Sequence, residues 1–158
     1  ISLTGRKPVA LSLVNLEGKT VPVAIDSEGV VFQIGRSVDN YDLPVLSGLT
    51  FRKIELGRTV SEELVGFLDD LRELRKSSPT LFGLISEIKF VTKNRTGFEA
   101  LLFPRDYPIR IRINGRIDAD LMKRIVLVLD VFEREKVSKQ VDEIDFRTDP
   151  IVMRAKGE

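Results

Sequence analysis

Alternating apolar and polar residues predict β-strands through much of the chain. The clearest case is residues 109–113, where three isoleucines alternate with Arg110 and Arg112. A period of two is typical of an antiparallel strand with one buried and one solvated face. Residues 87–93 and 98–103 lie just before it and are separated by turn-forming residues. The three segments therefore predict an antiparallel meander.

Two longer segments have the apolar spacing of helices. In residues 59–76, apolar side chains, mostly leucines, recur every three or four positions and form one stripe. Thr59 and Glu62 have the spacing of a capping box. The second helix begins near Asp118, a residue type suited to the N-cap. A single helical turn is also expected at residues 80–85.

Shorter apolar segments occupy the first third of the chain. Residues 8–14, 20–25 and 30–34 are strand candidates separated by glycine-containing turns. Residues 43–48 are apolar as well, but they contain Pro44 and end in a glycine. We therefore expect a packed connection between the first strands and the first helix, rather than a regular element.

The stretch from residue 141 to residue 154 reads as two short strands broken at Asp149–Pro150. Proline has no amide proton, so it belongs at a bend or at the start of an edge strand. Residues 151–153 follow as a short apolar strand. Such a strand is either covered or open to a partner. From the residues alone, an ordinary edge strand is the simpler interpretation.

These elements predict an α+β fold, with a mostly antiparallel β-sheet and two amphipathic helices packed on one face. The length of 158 residues and the 42% hydrophobic content fit one core. No run of about 18 apolar residues occurs, so no transmembrane helix is predicted. The first residue is Ile1 rather than methionine, which is expected of a fragment or a processed form.

Composition removes several classes of function. The chain has no cysteine and no histidine. Thiolate chemistry, disulfides, histidine-dependent triads and most zinc and haem sites are therefore excluded. The formal net charge is +1, so no overall field attracts nucleic acid. We expect no enzymatic activity, no cofactor and no bound metal.

Three acidic residues near the end of the chain could in principle form a paired-carboxylate site. They are Asp142, Glu143 and Asp145. Catalysis would also need a nucleophile and a pocket, and the nearby sequence indicates neither. Charged strand ends are the simpler interpretation.

A second alternative concerns the charged face of the strand at residues 109–113. Arg110 and Arg112 are expected on a solvated surface. With Arg105 and Arg116 they could form a basic patch for an acidic segment or for lipid head groups. An RNA-binding sheet is disfavoured, because it needs exposed aromatic residues between the basic ones. The candidate aromatics, all expected to face the core, are Phe90, Phe98 and Phe103.

Four motifs, which occur along the chain in the family's order, resemble the FtsQ/DivIB family of bacterial cell-division proteins. Residues 43–48 read L-P-V-L-S-G and match the family's L-P-x-L-x-G stretch. Residues 26–32 are similar to the turn and strand that precede it. Residues 144–147 read I-D-F-R and resemble the I-D-L-R signature. Residues 6–10 resemble the R-x-P-V-A segment that ends the family's POTRA domain.

The resemblance implies a domain division and a function. Residues 1–10 would be the end of a POTRA domain or a linker, and residues 11–158 an FtsQ/DivIB-like β domain. Such proteins are non-catalytic and are anchored in the cytoplasmic membrane by a single helix, absent from this sequence. Their bulk lies on the extracytoplasmic (periplasmic) side of that membrane. They act in divisome assembly and septum formation by binding FtsB/DivIC-like and FtsL-like proteins.

The resemblance also implies a binding site at the last strand, where the FtsB-type partner adds a strand of its own. Arg147, the arginine of the I-D-F-R segment, is expected to add a charged contact. The residues expected to contact the partner are Arg147, Thr148, Asp149, Ile151, Val152, Met153 and Arg154. The alternative function is a different extracytoplasmic, POTRA-associated binding domain, in outer-membrane assembly or transport.

Overall fold

The structure, a computed structural model, describes residues 7–35, 42–48, 62–93 and 97–157. The strands in these ranges are β1 (Ala10–Leu16), β2 (Lys19–Ile25), β3 (Val31–Ile34), β4 (Val45–Ser47), β5 (Ile85–Thr92), β6 (Phe98–Pro104), β7 (Arg110–Ile113), β8 (Val141–Asp145) and β9 (Val152–Ala155). The helices are α1 (Glu62–Ser77), α2 (Pro79–Gly83) and α3 (Ala119–Arg134).

All nine strands belong to one mixed sheet, in the order β3-β2-β1-β4-β5-β6-β7-β8-β9. The pairs β1–β4, β4–β5 and β7–β8 are parallel, and the other neighbouring pairs are antiparallel. The predicted α+β class is therefore confirmed in outline. The sheet is mostly antiparallel, as expected, with five antiparallel and three parallel pairs of neighbouring strands. The short helix α2 is present in addition to the two long helices.

The prediction for residues 43–48 is wrong, because Val45–Ser47 forms strand β4 near the middle of the sheet. It runs parallel to β1 on one side and to β5 on the other. The residues that argued against a strand lie at its ends. The Pro44 carbonyl accepts a hydrogen bond from the Leu11 amide. Gly48 has φ +79°, and a Cβ there would lie 2.2 Å from the Phe90 carbonyl oxygen.

Both predicted long helices are found. Asp118 caps α3, since its carboxylate accepts a hydrogen bond of 2.8 Å from the Leu121 amide. α1 is described from Glu62, so the predicted capping residue Thr59 lies outside the described residues. The expected helical turn at residues 80–85 is α2, which begins one residue earlier and ends at Gly83. Arg6, which begins the R-x-P-V-A match, also lies outside the described residues.

The helices cover one face of the sheet and form the core there. Phe67 of α1 packs edge-on against Phe90 and Phe98, with ring centroids 5.3 and 6.0 Å apart. Buried residues of α1, α2 and α3 belong to the same cluster as the buried strand residues Ile111 and Ile144. We call this the helix-covered face. Isoleucines 109, 111 and 113, predicted to share one face, all lie in this core.

Strand alternation places a second set of side chains on the opposite face. In β6, Leu102 pairs with Ile88 in the core, so Phe103, which pairs with Glu87, lies on the other face. The prediction that Phe103 faces the core is therefore wrong, although Phe90 is buried as expected. Alternation also places Arg112 on this opposite face, which we call the charged face.

Candidate partner-binding edge

Strand β9 is the outermost strand at one end of the sheet. It pairs antiparallel with β8, and no strand in the described part of the chain lies on its other side. All four of its residues are exposed, Val152 by 50% and Met153 by 56%. The terminal strand predicted at residues 151–153 is thus present, but it begins one residue later, at Val152. Its side chains contribute little to the core on either face.

The main-chain groups of β9 point in two directions. The Lys156 amide, just beyond β9, donates a hydrogen bond of 3.0 Å to the Gln140 carbonyl, on the β8 side. Donors alternate in direction along an antiparallel strand. The amides of Val152 and Arg154 therefore also face β8. The amides that face outward are those of Met153 and Ala155.

The geometry of β8 leads to the same assignment. The Phe146 amide donates a hydrogen bond of 2.9 Å to the Arg112 carbonyl of β7. By alternation, the amide of Asp145 faces β9, where Asp145 lies opposite Val152. The outward donors and acceptors of β9 are consequently available to another extended segment.

Residues 146–151 connect β8 to β9. Thr148, Asp149 and Pro150 are exposed, and the Asp149–Pro150 peptide bond is cis. The Thr148 hydroxyl donates a hydrogen bond of 3.3 Å to the Pro150 carbonyl. Ile151 is half-buried and packs against the core. It anchors the start of β9, whereas the three residues before it lie at the surface.

Arg147 is held by carboxylates of its own chain. Its Nε lies 2.9 Å from Oδ1 and 3.0 Å from Oδ2 of Asp145. Its Nη1 donates to Glu99 of β6. The Arg147 amide also donates to Asp145 Oδ1, at 2.9 Å. The arginine therefore ties the beginning of the β8–β9 connection to β6, and its side chain is only 26% exposed.

Glu143, in the middle of β8, also contacts several oppositely charged side chains. Its Oε1 accepts a hydrogen bond of 2.9 Å from Arg110 Nε, and its Oε2 accepts one of 2.9 Å from Arg112 Nε. Arg154 of β9 approaches the same Oε2, with its Nε at 3.4 Å. Three guanidinium groups thus surround one carboxylate whose side chain is 1% exposed.

These ion pairs join into one network, which extends from Lys93, just after β5, to Arg154 of β9. Arg112 bridges the two carboxylate centres, because it also donates a hydrogen bond of 2.9 Å to Glu99. Lys93 lies 3.1 Å from Glu99. We call this set the charged network. Its members are Lys93, Glu99, Arg110, Arg112, Glu143, Asp145, Arg147 and Arg154.

The network keeps its carboxylates ionised. Burial raises the pKa of Glu143, but hydrogen bonds from Arg112 and Arg110 outweigh it, and the pKa lies below its ordinary value of 4.5. Burial also opposes ionisation of Glu99. Hydrogen bonds from Lys93, Arg112 and Arg147 nevertheless lower the pKa of Glu99. A carboxylate with a lowered pKa is a poor general acid.

Asp145 and Arg147 stabilise each other's charge. The hydrogen bond from Arg147 lowers the pKa of Asp145 below its ordinary value of 3.8, against the opposing effect of burial. The same hydrogen bond raises the pKa of Arg147. Of the three acidic residues considered for acid–base chemistry, Glu143 and Asp145 are thus structural ion-pair partners.

The four arginines considered as a basic patch do not act together. Arg110 and Arg112 belong to the charged network. Arg105 pairs with Asp42, with its Nη2 3.1 Å from Asp42 Oδ1. The remaining one, Arg116, pairs with Asp70 of α1. Each has a carboxylate partner, and Arg105 and Arg116 pair outside the charged network.

Sequence reasoning missed the role of Glu99 and Glu143. A signal was present in the alternation of acidic residues with Ile144 in β8, which mirrors the alternation of arginines with isoleucines in β7. Two complementary strands of this kind are expected to pair charge with charge when they become neighbours. Glu99 has no such local signal.

Three further observations concern other kinds of feature. Among the described residues, no group of three or more acidic side chains could hold a metal ion. In the same ranges, no helix is long and apolar enough to cross a membrane. A cavity between α3 and the sheet is lined by apolar residues such as Leu102, Ile111 and Leu129, and no charged residue lines it.

Comparison with known proteins gives a likeness in structure to a solved domain. The fold is similar to the major extracytoplasmic domain of the trans isomer of the bacterial cell division protein DivIB from Geobacillus stearothermophilus. The TM-score is 0.48 at 14% sequence identity, over 83% of this chain and 97% of that chain. A likeness at this level carries no functional argument. No protein-family model matches the chain, and no curated protein matches it in sequence.

Proposed function

We propose that this domain is a non-catalytic assembly module of the bacterial cell-division machinery. It binds an FtsB/DivIC-like partner, together with an FtsL-like protein, by accepting an extended segment at β9. The observation that carries the proposal concerns β9, which is separated from the I-D-F-R segment by four residues. Within the described residues, β9 is paired on one side only, and it is exposed along its whole length. The four ordered motifs give the choice of partner.

The same motifs suggest where the domain acts. In the proposed arrangement it lies on the extracytoplasmic side of the cytoplasmic membrane, in a protein anchored by a single helix outside this sequence. Residues 1–10 then belong to the end of a POTRA domain or to a linker. The proposed contact residues remain Arg147, Thr148, Asp149, Ile151, Val152, Met153 and Arg154.

Strand addition suits this edge for a physical reason. Main-chain hydrogen bonds supply affinity, and side chains on alternate positions supply specificity. A segment paired with β9 would use the outward groups of Met153 and Ala155. Its side chains opposite Val152 and Arg154 would lie on the charged face, and its side chain opposite Met153 on the helix-covered face.

The proposal is tested with the extracytoplasmic region of the FtsB- or DivIC-type protein from the same bacterium. Calorimetry gives the affinity, and amide hydrogen exchange by NMR gives the position. We expect the Met153 and Ala155 amides to become protected in the complex. The Val152 and Arg154 amides, already bonded to β8, should change less.

Met153→Pro removes an outward donor and should therefore abolish binding. It should leave the fold intact, because proline is tolerated at an edge when its missing amide proton would face solvent. The matched control is Met153→Ala, which keeps the amide and loses only the side chain. It should retain most of the affinity. Wild-type binding by the proline variant, or protection of β3 instead of β9, would place the partner elsewhere.

A further inference from the structure

Two arginines of the proposed contact segment have different surroundings, and their roles can be separated on that basis. Arg147 contacts two carboxylates, Asp145 and Glu99, and is 26% exposed. Arg154 lies in β9 and is 49% exposed. Within the described residues, Glu143 is the carboxylate that Arg154 approaches, at 3.4 Å.

The carboxylate beside Arg154 is already engaged. Glu143 accepts hydrogen bonds from Arg110 and Arg112 at 2.9 Å each, shorter than its distance to Arg154. A single negative charge therefore serves three guanidinium groups. The charged network as a whole contains five cations and three carboxylates. Among the arginines of the network, Arg154 is the most exposed, at 49%, and it is the one that lies on the outermost strand.

We propose that Arg154 recognises the partner by forming an ion pair with an Asp or Glu of the added strand. Arg147 is a positioning residue. Arg147 holds the β8–β9 connection against β6 through Glu99 and so fixes where β9 lies. This inference rests on the proposed function, and it assigns the charge contact to a different arginine from the one that the sequence resemblance implies.

The strand register makes the partner's chemistry specific. Arg154 and Val152 lie on the charged face, with Met153 between them on the helix-covered face. The partner segment should therefore place a carboxylate opposite Arg154, and an apolar side chain opposite Met153. Cross-strand neighbours stand about 4.5–5.5 Å apart at Cβ, which suits a direct ion pair. A second copy of this chain fits poorly, because its own β9 would bring another arginine to the same edge.

The binding test is a set of double-mutant cycles with the same extracytoplasmic region of the FtsB- or DivIC-type protein. Each acidic residue of its extended segment is changed to the amide, and each variant is measured against wild type, Arg154→Gln and Arg147→Gln. We expect Arg154→Gln to weaken binding roughly three- to tenfold, as for a partly desolvated ion pair. One partner carboxylate should account for that loss and should show no coupling to Arg147.

Salt dependence and a control variant complete this test. Arg154→Gln should reduce the loss of affinity between low and high salt, because it removes an exposed charge pair. Arg72→Gln removes an equally exposed arginine, paired with Asp69 on α1, and should change neither affinity nor salt dependence. A carboxylate coupled to Arg147 and not to Arg154 would overturn the assignment.

Hydrogen exchange of the unbound domain tests the positioning role separately. Arg147→Gln should speed exchange of the Val152 and Arg154 amides by about tenfold or more, with core amides unchanged, because it loosens one local unit. Glu99→Gln should have the same effect, and the double variant should be no worse than either single one. Arg154→Gln should leave these amides within about threefold of wild type.

The possible outcomes distinguish the two proposals. If the wild-type domain does not bind the partner region, the proposed function fails and the assignment of Arg154 fails with it, while hydrogen exchange still decides the role of Arg147. If the domain binds the wild-type partner and all of its amide variants with the same affinity, the function stands and the role of Arg154 is refuted. Self-association through β9, seen by sedimentation and lost in Met153→Pro, would replace the partner with a second copy.

Discussion

The two outer strands of the sheet, β3 and β9, are attached to the molecule in different ways. Val31 and Phe32 of β3 are 2% and 7% exposed and belong to the core. Val152 and Met153 of β9 are half exposed or more. β3 is thus fixed by its side chains, whereas β9 depends on its main-chain bonds to β8 and on the charged network. A strand of the second kind can gain a neighbour without disturbing the core.

The largest effect should come from removing a core side chain of β3. Phe32→Ala should lower the free energy of unfolding by about 3–5 kcal/mol, as for other buried phenylalanines. Met153→Ala, at the opposite edge, should change it by no more than about 0.5 kcal/mol. Urea unfolding followed by circular dichroism measures both. Equal losses at the two edges would mean that β9 is packed as tightly as β3.

A central strand should resemble β3 in this respect, and Leu46 of β4 is the residue to change. Leu46 is 1% exposed and pairs with Ile88 of β5. Leu46→Ala should cost about 2–5 kcal/mol of stability, depending on how far the cavity collapses. The same unfolding measurement applies. An unchanged midpoint would indicate that residues 43–48 are held mainly by main-chain bonds.

Much of the fold could be predicted from local patterns. The alternation at residues 109–113 identified β7, and the polar residue before the apolar spacing of α3 identified its N-cap. β4 was missed because three residues are too few to show a period, and because Pro44 and Gly48 suggested a loop. The parallel pairs could not be predicted either, since they join segments far apart in the chain.

The candidate site was predictable to a similar extent. A terminal edge strand follows from Pro150 and the apolar residues after it. The internal partners of Arg147 do not, because Glu99 lies 48 positions away and reaches Arg147 only through the strand order of the sheet. The sequence therefore indicated which segment forms the edge strand, but not which arginine near it is already engaged by carboxylates of its own chain.

An effect of intermediate size is expected from the charged network, and it should depend on pH. The pKa values of Glu99, Glu143 and Asp145 are lowered in the folded state. Groups of this kind stabilise the fold above their unfolded pKa values, and that contribution is lost as the pH falls through the folded ones. Stability should therefore hold at neutral pH and decline below about pH 4.5, near the ordinary glutamate value.

Glu143→Gln tests whether the network is responsible. At neutral pH it should cost about 1–3 kcal/mol, since it removes the charge that three arginines share. It should also flatten the acid limb of the stability curve. Asp69→Asn, which breaks an exposed pair with Arg72 on α1, is the control and should do neither. An acid limb unchanged in Glu143→Gln would assign the pH dependence to other carboxylates.

The smallest effects on stability are expected from two proline substitutions in β9. They also test most directly how β9 is hydrogen-bonded to β8. Val152→Pro removes an amide that faces β8, so it should cost about 1 kcal/mol or more of stability through the lost ladder bond. Met153→Pro removes an amide that faces outward. It should change stability by less than about half as much, because no bond inside the domain is lost. Unfolding curves for both variants, with hydrogen exchange at Arg154, compare the two directly. If Met153→Pro proves the more damaging, the donor directions are reversed, and the partner would have to pair with the amides of Val152 and Arg154 instead.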